Sequence, residues 1–315
     1  MNRKRVASAF TVLAVFVLVG TSLWFFVTGK GLQVAGMAAV ASALGVITTV
    51  FVDKVLPHTQ RTLQAPDALQ RIADAVRVEW SEELVHRFVA TERDLVAVRW
   101  LPRTDLAGRL GDSDLLISGT MRDVSAIVDQ FMQLRPRRRM VLLGRPGSGK
   151  STLAVSVVIK ILDHPQYRQL AVPVPLSLSS WNPNAVALRD WISRRIADDS
   201  FEYVKKDLDR GEWLRIVQRL VTQGRLLPVL DGLDELAEKV RVRALQDIEH
   251  TLGGQDLVLA CRSEEYSAVK EAGGVLTGVA VAEAQDIELD RAVGYLREMT
   301  SNATSEQWIK VYSDY

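Results

Sequence analysis

Residues 144–151 read GRPGSGKS, and this stretch matches the pattern G-x-x-x-x-G-K-[ST] in full. An apolar run at 140–143 precedes it, and a run with helical spacing at 151–162 follows it. A strand, a glycine-rich turn and a helix in this order place backbone N–H groups where they cradle phosphate oxygens. The stretch therefore predicts a phosphate-binding loop at the end of a strand. The competing interpretation is a chance glycine-rich turn with a lysine, and the flanking strand and helix argue against it.

Each part of this loop has a predicted task. The glycines let the backbone turn inward, Lys150 reaches the β- and γ-phosphates, and the Ser151 hydroxyl binds Mg²⁺. Thr152 lies beside the phosphates and adds a hydrogen bond. The predicted nucleotide-binding residues are Gly144, Arg145, Pro146, Gly147, Ser148, Gly149, Lys150, Ser151 and Thr152.

A second motif, LLPVLDGLDEL at residues 226–236, begins as an apolar strand and ends in acidic residues. Asp231 at the strand end is a candidate Mg²⁺ ligand, and Gly232 leaves room for a nucleotide. A carboxylate just beyond it can orient an attacking water. We prefer Glu235 for that role and keep Asp234 as its partner or substitute. A solvated acidic loop is the alternative interpretation.

The third motif is LVLACRSEEY at residues 257–266, where an apolar strand is followed at once by Arg262. In a parallel sheet the end of this strand lies beside the end of the Asp231 strand. Arg262 is therefore a candidate γ-phosphate sensor. Alternatively, it is a surface arginine in a salt bridge with Glu264 or Glu265.

From residue 139 onward the pattern alternates between strands and helices, which predicts an α/β domain with a mostly parallel sheet covered by helices on both faces. The prolines at 173 and 175 place the strand at 172–178 near a sheet edge. The remaining predicted elements are helices at 191–196, 212–221, 236–252 and 286–299 and strands at 226–230, 257–261 and 275–281. Before residue 139, we expect a linker at 57–66, helices at 67–89 and 123–134, and a short strand at 96–100.

The N-terminus carries two uncharged apolar runs, at 6–27 and 32–52, and each is long enough to cross a bilayer. The sequence predicts a transmembrane hairpin, because a secretory signal peptide has a shorter apolar region and a cleavage site. The basic residues at 3–5 favour a cytoplasmic N-terminus, so the rest of the chain also faces the cytoplasm. We expect a multi-pass protein of the cell membrane. The spans contain no charged residue, which favours a tether over an ion pathway.

The overall composition excludes several other classes. The chain has 315 residues and a formal net charge of +1, which gives no case for nucleic acid as a partner. Cys261 is the single cysteine, so an intrachain disulfide is impossible. The four histidines are scattered and give no zinc-ligand spacing.

GRPGSGKST, LLPVLDGLDEL and LACRSEEY, in this order, resemble the NACHT family within the STAND class of P-loop NTPases. The most specific part is the run from Asp231 to Glu235, in which a small residue and then paired acids follow the aspartate. The upstream segments 78–80 (VEW) and 98–100 (VRW) are similar to those of actinobacterial NACHT proteins.

The resemblance implies an ATP-controlled switch that hydrolyses ATP slowly, holds ATP or ADP with Mg²⁺, and assembles into homo-oligomers on activation. Bacterial members include immune proteins that act against phage, so a role in defence is implied as well. Family members continue into a winged-helix domain and sensor repeats, whereas this sequence ends at Tyr315. We expect either a fragment or a minimal form whose protein partner supplies sensing.

The expected domains are a hairpin at 1–56, a linker and helical pre-domain at 57–135, a NACHT-like domain at 136–299, and a tail at 300–315. The leading hypothesis is a membrane-anchored signalling ATPase bound to lipid through the hairpin. A transport or remodelling ATPase is disfavoured, because the sequence has neither an L-S-G-G-Q-like signature nor an N-K-x-D motif. A nucleotide-binding membrane scaffold with negligible turnover is the third possibility.

Overall fold

The computed structural model describes residues 64–87, 98–107, 116–168, 171–288 and 292, which belong to one compact unit beginning at Gln64. The predicted transmembrane hairpin, most of the linker and most of the predicted helix at 286–299 lie outside these residues. Among the helices that the structure describes, none combines the length and the apolar character needed to cross a membrane.

The described residues form a mixed sheet of seven strands in the order β2-β1-β7-β3-β6-β5-β4. The five strands from β7 to β4 run parallel, while β1 pairs antiparallel with both β7 and β2. The predicted α/β architecture is thus confirmed. The strands are β1 (Arg99–Pro102), β2 (Gly119–Thr120), β3 (Arg139–Gly144), β4 (Val172–Ser177), β5 (Leu226–Asp231), β6 (Leu257–Arg262) and β7 (Ala280–Ala284).

Helices lie between these strands and before them. The helix predicted at 123–134 is found at 124–133, where the Asp123 side chain caps it by accepting a hydrogen bond from the Ala126 N–H. The helices are α1 (Ala65–Arg87), α2 (Val124–Gln133), α3 (Lys150–Asp163), α4 (Pro165–Arg168), α5 (Leu188–Ser200), α6 (Arg210–Thr222), α7 (Glu238–Leu252) and α8 (Ser263–Glu271).

Strand β3 is the middle strand of the seven-stranded sheet and is buried along its whole length. Since successive side chains of a strand point to opposite faces, a strand buried at every position must be covered on both faces. Strand β4 lies at one edge of the sheet, where β5 is its only partner among the described strands. The edge position tolerates Pro173 and Pro175, which have no N–H to donate, and the edge predicted from these prolines is confirmed.

Two predictions near the end of the sheet were wrong. The strand predicted at 275–281 begins at Ala280, because Gly273 (φ 91°) and Gly278 (φ 60°) hold the preceding segment in turns. The helix predicted at 286–299 was given too early a start: residues 286–288 are not helical, whereas Ala292 is, and its N–H donates to the Glu288 carbonyl oxygen (3.0 Å). The short strand predicted at 96–100 overlaps β1, but its antiparallel pairing with β2 was not predicted, since β2 is only two residues long.

Candidate functional site

The loop between β3 and α3 has the backbone shape of an anion cradle. Gly147 (φ 75°) and Gly149 (φ 90°) adopt left-handed conformations that favour glycine. Helix α3 begins directly after Gly149, with no side chain capping its first turn. The N–H groups of that turn, together with the positive end of the helix dipole, are therefore free to bind an anion.

Neighbouring side chains also pack tightly against Gly144 at the start of the cradle. A Cβ placed on Gly144 would lie 2.3 Å from the Ser148 Oγ and 3.0 Å from the Cβ of Ala284, so glycine is required there. The Ser148 Oγ is buried and has no hydrogen-bond partner among the described residues. A buried hydroxyl without a partner is costly, so the loop carries an unsatisfied polar group directly beneath Gly144.

The Lys150 side chain folds back over the loop. Its Nζ donates hydrogen bonds to the carbonyl oxygens of Gly144 (3.0 Å) and Arg145 (2.9 Å). Burial lowers the pKa of the ammonium group, while the carboxylates of Asp234 and Asp231 oppose this shift. Lys150 is thus held at the cradle by neutral carbonyl oxygens. A phosphate oxygen, which is a charged and stronger acceptor, can take their place.

Asp231 ends β5, in register with Ala260 of β6 and Ser177 of β4. Burial raises the pKa of its carboxyl group, and a hydrogen bond from the Ser151 hydroxyl opposes this effect. The two predicted Mg²⁺ ligands are therefore in direct contact. In the described part of the chain, no cluster of three or more His, Cys, Asp or Glu is arranged to hold a metal. An ion at this pair would take its other ligands from phosphate and water, as Mg²⁺ commonly does.

Beyond Asp231 the chain turns sharply. Gly232 is left-handed (φ 84°), and a Cβ there would lie 2.8 Å from the Glu235 Oε2. A 3₁₀ turn follows over Leu233–Glu235, closed by a hydrogen bond from the Glu235 N–H to the Gly232 carbonyl oxygen (3.0 Å). We call residues 232–236 the acidic turn.

Glu235 lies near Asp231 and Asp234 in an environment that disfavours its charge. Burial raises its pKa, and the charges of Asp231 and Asp234 add to the shift. The Ser179 hydroxyl opposes the shift by donating a hydrogen bond to the carboxylate, and Ser179 Oγ is also 2.7 Å from Ser177 Oγ. A carboxylate close to Asp231 with a raised pKa suits the acceptance of a proton from water.

Both carboxylate oxygens of Asp234 interact with Arg262. Its Oδ2 lies 2.8 Å from the Arg262 Nε, and its Oδ1 accepts a hydrogen bond from the Arg262 backbone N–H (3.2 Å). Arg262 also lies 3.7 Å from Glu265, so the salt bridge weighed from sequence forms in addition. Arg262 is in register with Gly144 at the start of the loop, and 45% of its side chain is exposed. Because Asp234 is occupied, Glu235 is the freer carboxylate.

The structure brings the predicted residues together at the carboxyl ends of three neighbouring strands: Lys150 and Ser151 after β3, Asp231, Asp234 and Glu235 at and after β5, and Arg262 at the end of β6. Thr152 is buried in the first turn of α3. Arg145 and Pro146 form the exposed rim, where Arg145 pairs with Asp286 (3.1 Å).

Sequence reasoning missed three residues at this site. Ser179 contacts Glu235, and Arg241 donates hydrogen bonds to the backbone of the acidic turn. Met121 is buried beside the loop, with its Cε 3.8 Å from where a Cβ on Gly149 would lie. Nothing in the sequence marks these residues, because only the folded sheet brings their segments next to the loop.

A family model described as the NACHT domain matches residues 138–303, slightly more than half of the 315-residue chain. Curated proteins gave no match to the chain. The matched segment contains strands β3 to β7 and every residue predicted for the site.

Proposed function

The chain belongs to the NACHT family of P-loop NTPases of the STAND type, and from this premise we propose that it is a membrane-anchored signalling ATPase. In this proposal, its conformation or oligomeric state changes with the nucleotide that it binds. The observation that carries the proposal is the meeting of Lys150, Ser151, Asp231, Glu235 and Arg262 at neighbouring strand ends.

The proposed ligand is ATP or ADP with Mg²⁺. Backbone N–H groups of the loop and of the first turn of α3 bind phosphate oxygens, and Lys150 moves from its carbonyl partners to the phosphates. Ser151 and Asp231 hold the ion. Bound Mg²⁺ supplies neutralisation of the phosphate charge. The uncapped first turn of α3 supports this fit, since its N–H groups have no side-chain acceptor.

The proposed hydrolytic roles follow from the acidic turn. Glu235 accepts a proton from the attacking water or orients that water, helped by its raised pKa. Arg262 contacts the γ-phosphate, and Asp234 positions Arg262 through its side chain and backbone N–H. Slow turnover is expected, as for a switch.

The membrane part of the proposal depends on the apolar runs at 6–27 and 32–52. The hairpin contacts lipid as a tether, and the nucleotide-binding domain faces the cytoplasm. The domain boundaries predicted from sequence (1–56, 57–135, 136–299 and 300–315) stay predictions, and the described residues of 57–135 share one compact unit and one sheet with those of 136–299. Activation is proposed to produce homo-oligomers, with a protein partner that supplies sensing and a role in bacterial defence.

Blue-native electrophoresis of the detergent-solubilised full chain tests the switch. We expect a larger species with ATP than with ADP, and no shift in Lys150→Ala. Identical monomers under all nucleotide conditions would contradict the proposal. Carbonate extraction tests the anchor separately, with the chain expected in the membrane pellet.

A membrane scaffold with negligible turnover is the second candidate. It is favoured by the ion pair between Arg262 and Asp234, which engages the candidate γ-phosphate sensor. Phosphate release that is unchanged in Glu235→Gln, with nucleotide still bound, would favour the scaffold.

A further inference from the structure

Helix α7 reaches back to the acidic turn through one side chain. Arg241, in its first turn, donates a hydrogen bond from Nε to the Leu236 carbonyl oxygen (2.8 Å) and another from Nη2 to the Asp234 carbonyl oxygen (2.8 Å). Both acceptors are backbone atoms, so Arg241 fixes the path of the chain and leaves the carboxylates of the turn available.

The acidic turn is anchored by the buried side chains of Leu233 and Leu236 and by Asp234 on Arg262, but few hydrogen bonds hold its backbone. Internally it is closed by two hydrogen bonds, from Glu235 N–H to Gly232 O (3.0 Å) and from Leu236 N–H to Leu233 O (3.3 Å). Ala237, which precedes α7, provides no side-chain cap. The junction between turn and helix, which a cap would normally fix, is instead bridged by the planar fork of the Arg241 guanidinium.

Two groups of the site depend on this junction. The carboxylate of Glu235 lies close to those of Asp231 and Asp234, and the carboxylate of Asp234 holds Arg262. A shift of the turn by about 1 Å is enough to cost on the order of 100-fold in rate when a reacting group is misplaced. From this arrangement we infer that Arg241 is a positioning residue for ATP hydrolysis, which it supports by fixing the acidic turn. The inference rests on the proposed ATPase function.

The chain offers a matched control two residues away. Arg243 is exposed on the same helix and donates to the Asn184 Oδ1 (2.9 Å), away from the acidic turn. Arg243→Ala therefore removes an equal charge and an equal side chain from α7 without touching the turn. Arg241→Lys keeps the charge of Arg241, but an ammonium group lacks the fork that reaches both carbonyl oxygens in this geometry.

The experiment compares single-turnover ATP hydrolysis, nucleotide affinity and the pH profile in the full-length wild type, Arg241→Ala, Arg241→Lys and Arg243→Ala. We expect Arg241→Ala to lower kcat by about 10- to 100-fold with nucleotide affinity within about twofold of the wild type. The kcat of Arg241→Lys should lie between those of the wild type and Arg241→Ala, and the kcat of Arg243→Ala should match that of the wild type. A loosened turn relieves the partial desolvation of Glu235 and its repulsion by Asp231 and Asp234, so the acid limb of the profile should move to lower pH in Arg241→Ala.

Equal kcat in Arg241→Ala and Arg243→Ala would overturn the inference. If Arg241→Ala loses nucleotide binding, the test passes to Arg241→Lys. A lower kcat in Arg241→Lys with unchanged nucleotide affinity supports the positioning role, and any other result overturns the inference. A wild type that binds nucleotide but hydrolyses no more than Lys150→Ala would instead overturn the ATPase function. In that case, backbone amide hydrogen exchange tests the role of Arg241. Faster exchange confined to residues 232–236 in Arg241→Ala supports the inference, and unchanged exchange overturns it.

Discussion

Asp231 is a buried carboxylate that the protein keeps at a cost in stability. Burial raises its pKa, so the folded chain holds a proton at this position more tightly than the unfolded chain does. This contribution is favourable below the ordinary carboxyl pKa and is lost as pH rises through the raised value. At neutral pH the charged group therefore destabilises the nucleotide-free fold, as is common for active-site residues.

Replacing Asp231 with Asn should stabilise the nucleotide-free chain. Asn has no charge to bury and can still accept a hydrogen bond from Ser151. We expect the free energy of unfolding of the full chain, measured by thermal denaturation at pH 7.5, to rise by roughly 0.5–2 kcal/mol. Mg²⁺-dependent nucleotide binding should weaken at the same time. Asp234→Asn serves as the control, since it breaks the contact with Arg262 and should not stabilise; an unchanged midpoint in Asp231→Asn would contradict the argument.

Glu235 should determine the pH dependence of hydrolysis. Since burial and two neighbouring carboxylates raise its pKa, the acid limb should lie above the ordinary range for glutamate, and the rate should rise as pH increases through it. Ser179→Ala removes the hydrogen bond that opposes this shift, so the limb should move to still higher pH. Glu235→Gln should lower kcat by about 100-fold or more. An acid limb that does not move in Ser179→Ala would show that Glu235 is not the group observed.

At the scale of elements, the strand order explains which parts of the site the sequence could predict. The loop after β3, the Asp231 strand end and Arg262 each belong to a local motif, and parallel strands bring their carboxyl ends to one edge. Ser179 and Arg241 have no local signal. They reach Glu235 and the acidic turn only through the pairing of β4 with β5 and the start of α7.

The wrong strand boundary near residue 275 has a similar explanation. Val275 and Leu276 continue the apolar pattern, but 46% of Val275 is exposed, and the glycines at 273 and 278 turn the chain before β7 begins. Apolar spacing reports burial, whereas the strand start depends on backbone conformation at glycine, which spacing does not encode.

Helix α1 is joined to the helix that follows the phosphate-binding loop. Arg77 Nη2 donates to the Leu162 carbonyl oxygen (2.6 Å) in the last turn of α3 and lies 3.0 Å from the Asp163 Oδ1. A cation at the C-terminal end of a helix satisfies a free carbonyl group and interacts favourably with the dipole. The contact thus ties α1 to the far end of α3.

Arg77→Ala should lower the free energy of unfolding by about 1 kcal/mol, seen as a fall of about 2–4 °C in the thermal midpoint. Arg77→Lys should recover part of this loss, because the charge remains. Arg215→Ala, at an exposed position on α6, controls for the loss of an arginine in general and should leave the midpoint in place. Equal midpoints for Arg77→Ala and Arg215→Ala would show that the contact does not stabilise the fold.

At the scale of the whole molecule, nucleotide binding and folding are thermodynamically coupled. The site has an uncapped α3 terminus and a largely buried Asp231, and Mg²⁺-nucleotide would satisfy both. A ligand that binds only the folded state stabilises it by RT ln(1 + [L]/Kd). A chain that holds nucleotide tightly in a resting form should therefore be markedly less stable without it.

Mg-ATP at about 100 times its Kd should stabilise the full chain by about 2.7 kcal/mol and raise the thermal midpoint by about 5–10 °C. Chelation of Mg²⁺ should remove most of the increase, because Ser151 and Asp231 then face each other without the ion. Lys150→Ala loses the point charge that reaches the phosphates and should show little increase at the same concentration. Differential scanning fluorimetry in detergent measures all three conditions. An equal rise in Lys150→Ala would mean that nucleotide stabilises the chain somewhere other than the loop at 144–151, and the assignment of the site would then be wrong.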